Sequence, residues 1–155
     1  MFGHHGDRAL GVASVNCLVG QPGQFTEQVM ATHTAWGKQH LKIEAYHWVL
    51  AFGTDELDPG DPEAVSKALE LASTMARLAW LTRQTLLVAQ NDGESGLLHV
   101  HVLVGSVDPL TDRAARGDDM SWTRVAPIQW LAMDALLALG HSCRCRRLRT
   151  WRSRG

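Results

Sequence analysis

The chain has 155 residues, 45% of them hydrophobic, and a formal net charge of −1 at pH 7. This length and apolar content suit one globular domain with a buried core. No apolar stretch approaches the length of a membrane span, and residues 1–11 lack the apolar segment of a signal peptide, so we expect a cytoplasmic protein without a membrane partner. Three cysteines without framework spacing exclude a disulfide scaffold.

The first part of the chain predicts a flexible end, a short apolar segment and a helix. Residues 1–14 are rich in glycine, which is typical of a flexible N-terminal segment. Residues 15–19 are apolar and end at a Gly-Gln-Pro-Gly turn. Thr26 is a candidate N-cap for a helix over residues 27–37.

The first strong strand signal covers residues 43–52, which are rich in aromatic and β-branched residues. Because side chains alternate across a strand, His47 shares one face with Val49 and Ala51. If this strand pairs with another at residues 97–104, His47 reaches the site predicted there. A hydrogen-bonded core histidine is an equally good interpretation.

A polar connector then leads into the most regular helix pattern of the chain. Residues 54–62 contain proline, glycine and four acidic residues, and apolar residues recur at helical spacing from Pro62 to about residue 80. Residues 85–89 predict a buried strand, and residues 90–96 a hairpin loop. The hairpin would pair this strand with residues 97–104.

Two histidines interrupt the apolar strand at residues 97–104. His99 and His101 are two residues apart, so they project from the same face of that strand. Two neutral imidazoles in an apolar sheet are costly unless their lone pairs are satisfied, and a divalent metal satisfies them directly. Hydrogen bonding in the core is the alternative, but the pair favours a metal or catalytic site.

The hairpin loop adds oxygen donors next to these histidines. Gln90 and Asp92 lie where the loop begins, within reach of the face that carries His99 and His101. Imidazole combined with amide or carboxylate oxygens suits Mg²⁺ or Mn²⁺. We therefore predict His99, His101 and Gln90 as metal ligands, and His47 and Asp92 as catalytic residues.

The C-terminal part predicts a closing helix and a basic tail. The helix covers residues 127–139, and Trp122 and Trp130 are expected in the core. Residues 141–155 are a basic tail, with six arginines and no acidic residue between residues 142 and 155. Such a tail is either a solvated end or a contact for nucleic-acid phosphates. The arginines predicted to bind DNA are Arg144, Arg146, Arg147 and Arg149.

Several of these segments together resemble a known family. They are residues 46–52 (Tyr-His-Trp-Val-Leu-Ala-Phe), residues 88–92 (Val-Ala-Gln-Asn-Asp) and the strand that begins His-Val-His at residue 99. From about residue 15 to 138 the chain resembles the relaxase or mobilisation nuclease domain, the MobA/VirD2-like branch of the HUH endonucleases. The His-Val-His strand is the most specific of these motifs, and we assign residues 15–140 to the nuclease domain.

The resemblance implies an α+β fold and a DNA-nicking activity. Helices over residues 62–80 and 126–139 would pack on the face of an antiparallel sheet that lies away from the histidines, as a HUH-endonuclease-like two-layer sandwich. The implied activity is metal-dependent nicking of single-stranded DNA at a transfer origin in plasmid or conjugative mobilisation. A nucleophile, usually tyrosine, attacks the phosphodiester and keeps the 5′-phosphate as a covalent intermediate. Other mobilisation proteins are possible partners.

The chain departs from the family pattern at two positions. Gln90 stands where the family has its third metal-binding histidine, and no tyrosine precedes residue 15, since Tyr46 is the single tyrosine. Three explanations for the missing nucleophile stay open: a shortened reading frame, substitution by His4 or His5 through a phosphoramidate, or DNA binding without cleavage.

Two other functions are alternatives to nicking. One is a non-catalytic DNA-binding accessory protein of mobilisation that keeps the fold without the nucleophile. The other is a histidine-triad-like nucleotide hydrolase, whose third alternate position would be a histidine. Leu103 occupies that position here, which argues against a hydrolase.

Overall fold

The computed structural model describes residues 9–19, 21–140 and 147–151. These residues form five strands, three α-helices and a short 3₁₀ turn at Gly117–Met120. Among the helices within these ranges, none combines the length and apolar character needed to cross a bilayer. The elements in chain order are β1 (Gly11–Val15), α1 (Pro22–Ala35), β2 (Ala45–Ala51), α2 (Ala64–Ala79), β3 (Thr85–Gln90), β4 (His99–Gly105), α3 (Trp122–Ala138) and β5 (Arg147–Trp151).

The five strands form one antiparallel sheet in the order β1-β3-β4-β2-β5. Strands β3 and β4 are joined as the predicted hairpin, and β2 lies on the other side of β4 as expected. The predicted α+β fold, in which helices pack on an antiparallel sheet, is confirmed. The strand β5 was not predicted, because its arginines indicated a tail.

The two faces of the sheet are covered differently. One face carries Val100, Val102 and Val104 of β4 and is buried under α2 and α3 in the main core, as predicted. The other face carries the histidines, and α1 covers the part of it around Leu86 and Val88 of β3. Helices therefore pack on both faces of the sheet. The histidines lie on the face that is covered less completely, by α1 alone among the described helices.

The first strand lies earlier in the chain than predicted. The expectation was an apolar segment over residues 15–19, but β1 ends at Val15 and the predicted boundary at residue 14 falls inside this strand. Asn16 has a φ of 57°, and its side-chain amide donates hydrogen bonds to the carbonyls of Leu81 and Arg83. This left-handed residue turns the chain out of the sheet.

Two helices also begin earlier than predicted. The Gln24 side chain accepts a hydrogen bond from the Gln21 backbone N–H at 3.2 Å, so α1 begins at Pro22 rather than after Thr26. The helix α3 begins at Trp122, with Pro127 inside it rather than at its start.

The placement of two tryptophans corrects a further expectation. Trp122 is 49% exposed and Trp130 is 51% exposed, so neither lies in the core. Both are on α3, whose buried residues point toward α2. Those buried residues are Val125, Gln129, Ala132, Met133 and Leu136.

Candidate functional site

The candidate site lies on the face of the sheet opposite the main core. His99 and His101 alternate along β4 with Val100 and Val102, which are fully buried on the core side. Both imidazoles are partly buried, because neighbouring strands flank them and α1 covers only part of this face. The predicted same-face pair of histidines is therefore present in the sheet.

The register of the sheet decides which residues flank each histidine. His99 lies directly opposite Gln90 on β3 and Ala51 on β2. His101 lies opposite Val88 and Val49, so both of its direct neighbours are apolar. Gln90 thus comes next to His99, as the predicted hairpin requires.

The hydrogen bonds of His99 fix its neutral tautomer. Its Nδ1 is 3.0 Å from the carbonyl oxygen of Leu97. Because a carbonyl only accepts, Nδ1 carries the proton and the lone pair of the neutral ring is on Nε2. That Nε2 is 3.7 Å from Oδ1 of Asp92 in the hairpin loop. The predicted site residue Asp92 is therefore beside His99.

His47 approaches His101 diagonally rather than directly. It lies opposite Leu103, two residues along β4, and its Nε2 is 2.8 Å from Nδ1 of His101. The centroids of these two rings are 5.0 Å apart. The His99 and His101 centroids are also 5.0 Å apart, with the rings edge to face. Three imidazoles therefore form one cluster across β2 and β4.

Burial keeps two of these imidazoles neutral near pH 7. Desolvation lowers the pKa of His47 below 6.5. Desolvation, reinforced by the neighbouring His47 and His99, lowers the pKa of His101 to about 4, while the Asp92 carboxylate acts in the opposite direction. Neutral rings retain a nitrogen lone pair, which is the form that binds a metal.

A family model matches most of the chain. The model for the MobA/VirD2-like relaxase nuclease domain matches residues 4–129, more than three quarters of the chain. The chain belongs to this relaxase family. Relaxases of this kind nick DNA in mobilisation, bind single-stranded DNA at an origin and are generally dependent on a divalent metal. Comparisons with curated proteins and with solved structures find no match.

The relaxase domain offers nitrogen and oxygen donors of the kind that hold a divalent ion. The predicted set consists of two imidazoles and the Gln90 amide. Within the described ranges, no three His, Cys, Asp or Glu side chains are grouped so that they could hold a metal. A metal in this relaxase would thus depend on an amide or on solvent to complete its ligands.

The single tyrosine of the relaxase lies away from this cluster. Tyr46 is on the opposite face of β2 from His47, packed against the main core. Its hydroxyl donates a hydrogen bond to the carbonyl of Ala115 at 3.4 Å. Tyr46 is therefore not grouped with the histidines.

The predicted DNA-binding arginines divide into two groups. Arg144 and Arg146 lie outside the described residues, as do His4 and His5. Arg147 and Arg149 belong to β5, at register positions opposite Ala51 and Val49 of β2. The sequence signal for β5 is the alternation Arg-Leu-Arg-Thr-Trp.

Proposed function

We propose that this relaxase domain nicks single-stranded DNA at a transfer origin with a divalent ion, Mg²⁺ or Mn²⁺, held by His99, His101 and Gln90. The observation that carries the proposal is the state of the two imidazoles on β4. Nδ1 of His99 is bonded to the Leu97 carbonyl and Nδ1 of His101 to His47, which leaves Nε2 of each ring for a ligand. Metal-binding histidines typically have their second nitrogen bonded in this way.

Gln90 and Asp92 supply the oxygen chemistry of the proposed site. Gln90 is directly opposite His99, and the Asp92 carboxylate is 3.7 Å from the His99 ring. Amide and carboxylate oxygens are ligands that Mg²⁺ and Mn²⁺ accept. When bound, such an ion neutralises charge on the scissile phosphate and orients it. Asp92 is also a proposed catalytic residue, whose carboxylate would supply an oxygen to the ion beside Nε2 of His99.

The proposed reaction is a transesterification. The nucleophile forms a bond to the scissile phosphorus, the bond from phosphorus to the 3′-oxygen breaks, and that oxygen takes up a proton. The 5′-phosphate stays on the protein, which conserves the bond for rejoining. Because Tyr46 faces the core side, we propose His4 or His5 as the nucleophile, which would give a phosphoramidate.

The strand β5 supports binding of the DNA backbone. Arg147 and Arg149 occupy the same two register rows as His99 and His101, two strands away. Strands are about 5 Å apart, so these backbone positions are about 10 Å from those of His99 and His101. Arginines at that distance can contact phosphates on either side of the scissile one.

Adduct formation with single-stranded origin DNA tests the proposal. In the presence of Mn²⁺, the protein should give a covalent adduct that survives denaturing electrophoresis. The double substitution of His99 and His101 by alanine should abolish both the adduct and Mn²⁺ binding. The matched control is His40→Ala, which removes an exposed imidazole outside the site. Full Mn²⁺ and DNA binding by the double variant would contradict the proposal.

The position of Tyr46 favours a second candidate, a non-catalytic DNA-binding accessory protein. With its single tyrosine on the core side, this domain would bind origin DNA without cutting it. The same assay distinguishes the two functions. A mobility shift without an adduct, unchanged when His4 and His5 are both replaced by glutamine, would support the accessory function.

A further inference from the structure

The Nδ1 atom of His101 is hydrogen-bonded to His47, and the register of the sheet explains why His47 is its partner. The residues directly opposite His101 are Val49 and Val88, which offer no side-chain hydrogen bond. His47, one pleat further along β2, places its Nε2 2.8 Å from Nδ1 of His101. The hydrogen bond therefore joins diagonal neighbours on the same face of the sheet.

We propose that His47 is a positioning residue that accepts a hydrogen bond from Nδ1–H of His101 and so directs the Nε2 lone pair of His101 to the metal. This inference rests on the proposed metal site. One of the two nitrogens must donate, since a hydrogen bond between two imidazoles needs one N–H and one lone pair. If His101 binds a metal, its free nitrogen is Nε2, and the proton is then on Nδ1.

The neighbouring histidine has the same arrangement with a different acceptor. Nδ1–H of His99 donates to the Leu97 carbonyl, so the His99 lone pair is also on Nε2. Among the described residues, the ring of His47 rather than a backbone carbonyl is the partner of Nδ1 of His101. The two imidazoles would therefore present the same nitrogen, each fixed by its own acceptor.

A direct ligand role for His47 agrees less well with the geometry. Its Nε2 is directed at the Nδ1 atom of His101, at an ordinary hydrogen-bond distance. In the part of the chain that the structure describes, three metal-ligating side chains of the His, Cys, Asp or Glu type do not converge. His47 thus acts through His101 and is distinct from the ligands.

The tautomer of His101 can be measured directly, without any variant. Long-range ¹⁵N–¹H correlation spectra of the metal-free protein at pH 7.5 should show His101 protonated on Nδ1 and His47 unprotonated on Nε2. The opposite assignment, or a mixture of both His101 tautomers, would overturn the inference. Because this readout needs no metal, it stands even if the proposed function fails.

Two substitutions of His47 separate positioning from packing. His47→Gln keeps an acceptor oxygen, whereas His47→Leu fills similar space without one. We expect His47→Leu to release His101 into a mixture of tautomers and to weaken Mn²⁺ binding by about 10- to 100-fold, the range known for orienting partners of metal ligands. His47→Gln should retain the Nδ1–H tautomer and stay within a few fold of the wild type. His40→Ala, which removes an exposed imidazole outside the site, is the matched control and should change neither.

The outcomes distinguish this inference from the proposed function. If His47→Leu binds Mn²⁺ as the wild type does while His99→Ala does not, the metal site stands and the positioning role is wrong. Equal losses in His47→Leu and His47→Gln, with the tautomer of His101 unchanged, would assign His47 as a ligand and contradict the inference. Unchanged Mn²⁺ binding after loss of both His99 and His101 would contradict the proposed function itself.

Discussion

Gln90 and His99 are directly opposed across β3 and β4, in the pair of residues nearest the hairpin loop. Directly opposed side chains have Cβ atoms about 5 Å apart, close enough for both to reach one ion. In the sequence resemblance to the family, Gln90 also stands where the third histidine is expected. We expect Gln90→His to strengthen Ni²⁺ or Co²⁺ binding by about tenfold, about 1.4 kcal/mol, and Mg²⁺ binding much less, because imidazole suits the former metals.

Isothermal titration of each metal measures this effect. Ser66→His, which adds an imidazole to an exposed position of α2, is the matched control and should leave all affinities unchanged. Equal gains for Mg²⁺ and Ni²⁺, or no gain for either, would show that position 90 does not face the ion.

We expect the histidine cluster to make the free energy of unfolding depend on pH between about 4 and 6.5. Burial lowers the pKa of His101 to about 4 and also lowers that of His47, whereas both titrate near 6.5 in the unfolded chain. The unfolded state therefore binds more protons in this window, and the free energy of unfolding rises with pH across it. The rings are partly exposed, so we expect a total change on the order of 1 to 2 kcal/mol.

Urea unfolding at pH 7.5, 6.0 and 5.0 measures this dependence. Above pH 4.5 most carboxylates stay ionised, so the histidines dominate the change. His101→Gln should flatten the curve, and His40→Ala should not. A wild-type stability that is constant over this range would contradict the lowered pKa values.

Asn16 stabilises the end of β1 in two separable ways. Its side-chain amide donates to the Leu81 and Arg83 carbonyls, and its φ of 57° is unfavourable for most side chains. Asn16→Gly removes the hydrogen bonds without adding backbone strain and should cost about 1 kcal/mol of unfolding free energy. Asn16→Ala adds backbone strain and should cost about 2 kcal/mol. Equal losses in the two variants, measured by chemical denaturation, would contradict the strain.

The arginines of β5 should contribute to the salt dependence of DNA binding. Each phosphate contact adds about 0.7 to the slope of log K against log salt for single-stranded DNA. Substitution of Arg147 and Arg149 by glutamine should therefore lower the slope by about 1.4 in a fluorescence anisotropy titration. The control is the double variant Arg77→Gln with Arg124→Gln. These arginines are on α2 and α3, on the other side of the sheet from the histidines, so the slope should not change. Equal slopes in both variants would contradict a DNA role for β5.

The parts of the site that could be predicted from the sequence depend on local pairing. The β3–β4 hairpin joins segments separated by a short loop, so alternation alone places His99 and His101 on one face next to Gln90. The sequence allowed His47 to reach the site if its strand pairs with β4, but the specific contact of His47 with His101 could not be predicted. It depends on the register of β2 against β4, two strands that are far apart in the sequence.

The predicted ends of α3 and β1 were wrong because interactions with the rest of the fold override the local sequence signals. Pro127 indicated the start of a helix, but α3 begins five residues earlier and contains it. A proline in a helix interior costs about 3 kcal/mol, and α3 nevertheless continues through it with Val125 and Ala132 buried in the core. The predicted position of β1 was wrong because Gly, Ala and Ser have low strand propensity. Pairing with β3 stabilises the strand despite this composition.

The strand β5 lies beyond the segment that the family model matches, which ends at residue 129, yet it pairs with β2 along five residues. A shortened chain that stops at residue 140 would leave the backbone of β2 without its outer partner. Exposed edge strands of this kind pair with the edge strands of other molecules. Anyone who shortens this domain to its family boundaries for expression should therefore expect oligomers or aggregates instead of a monomer.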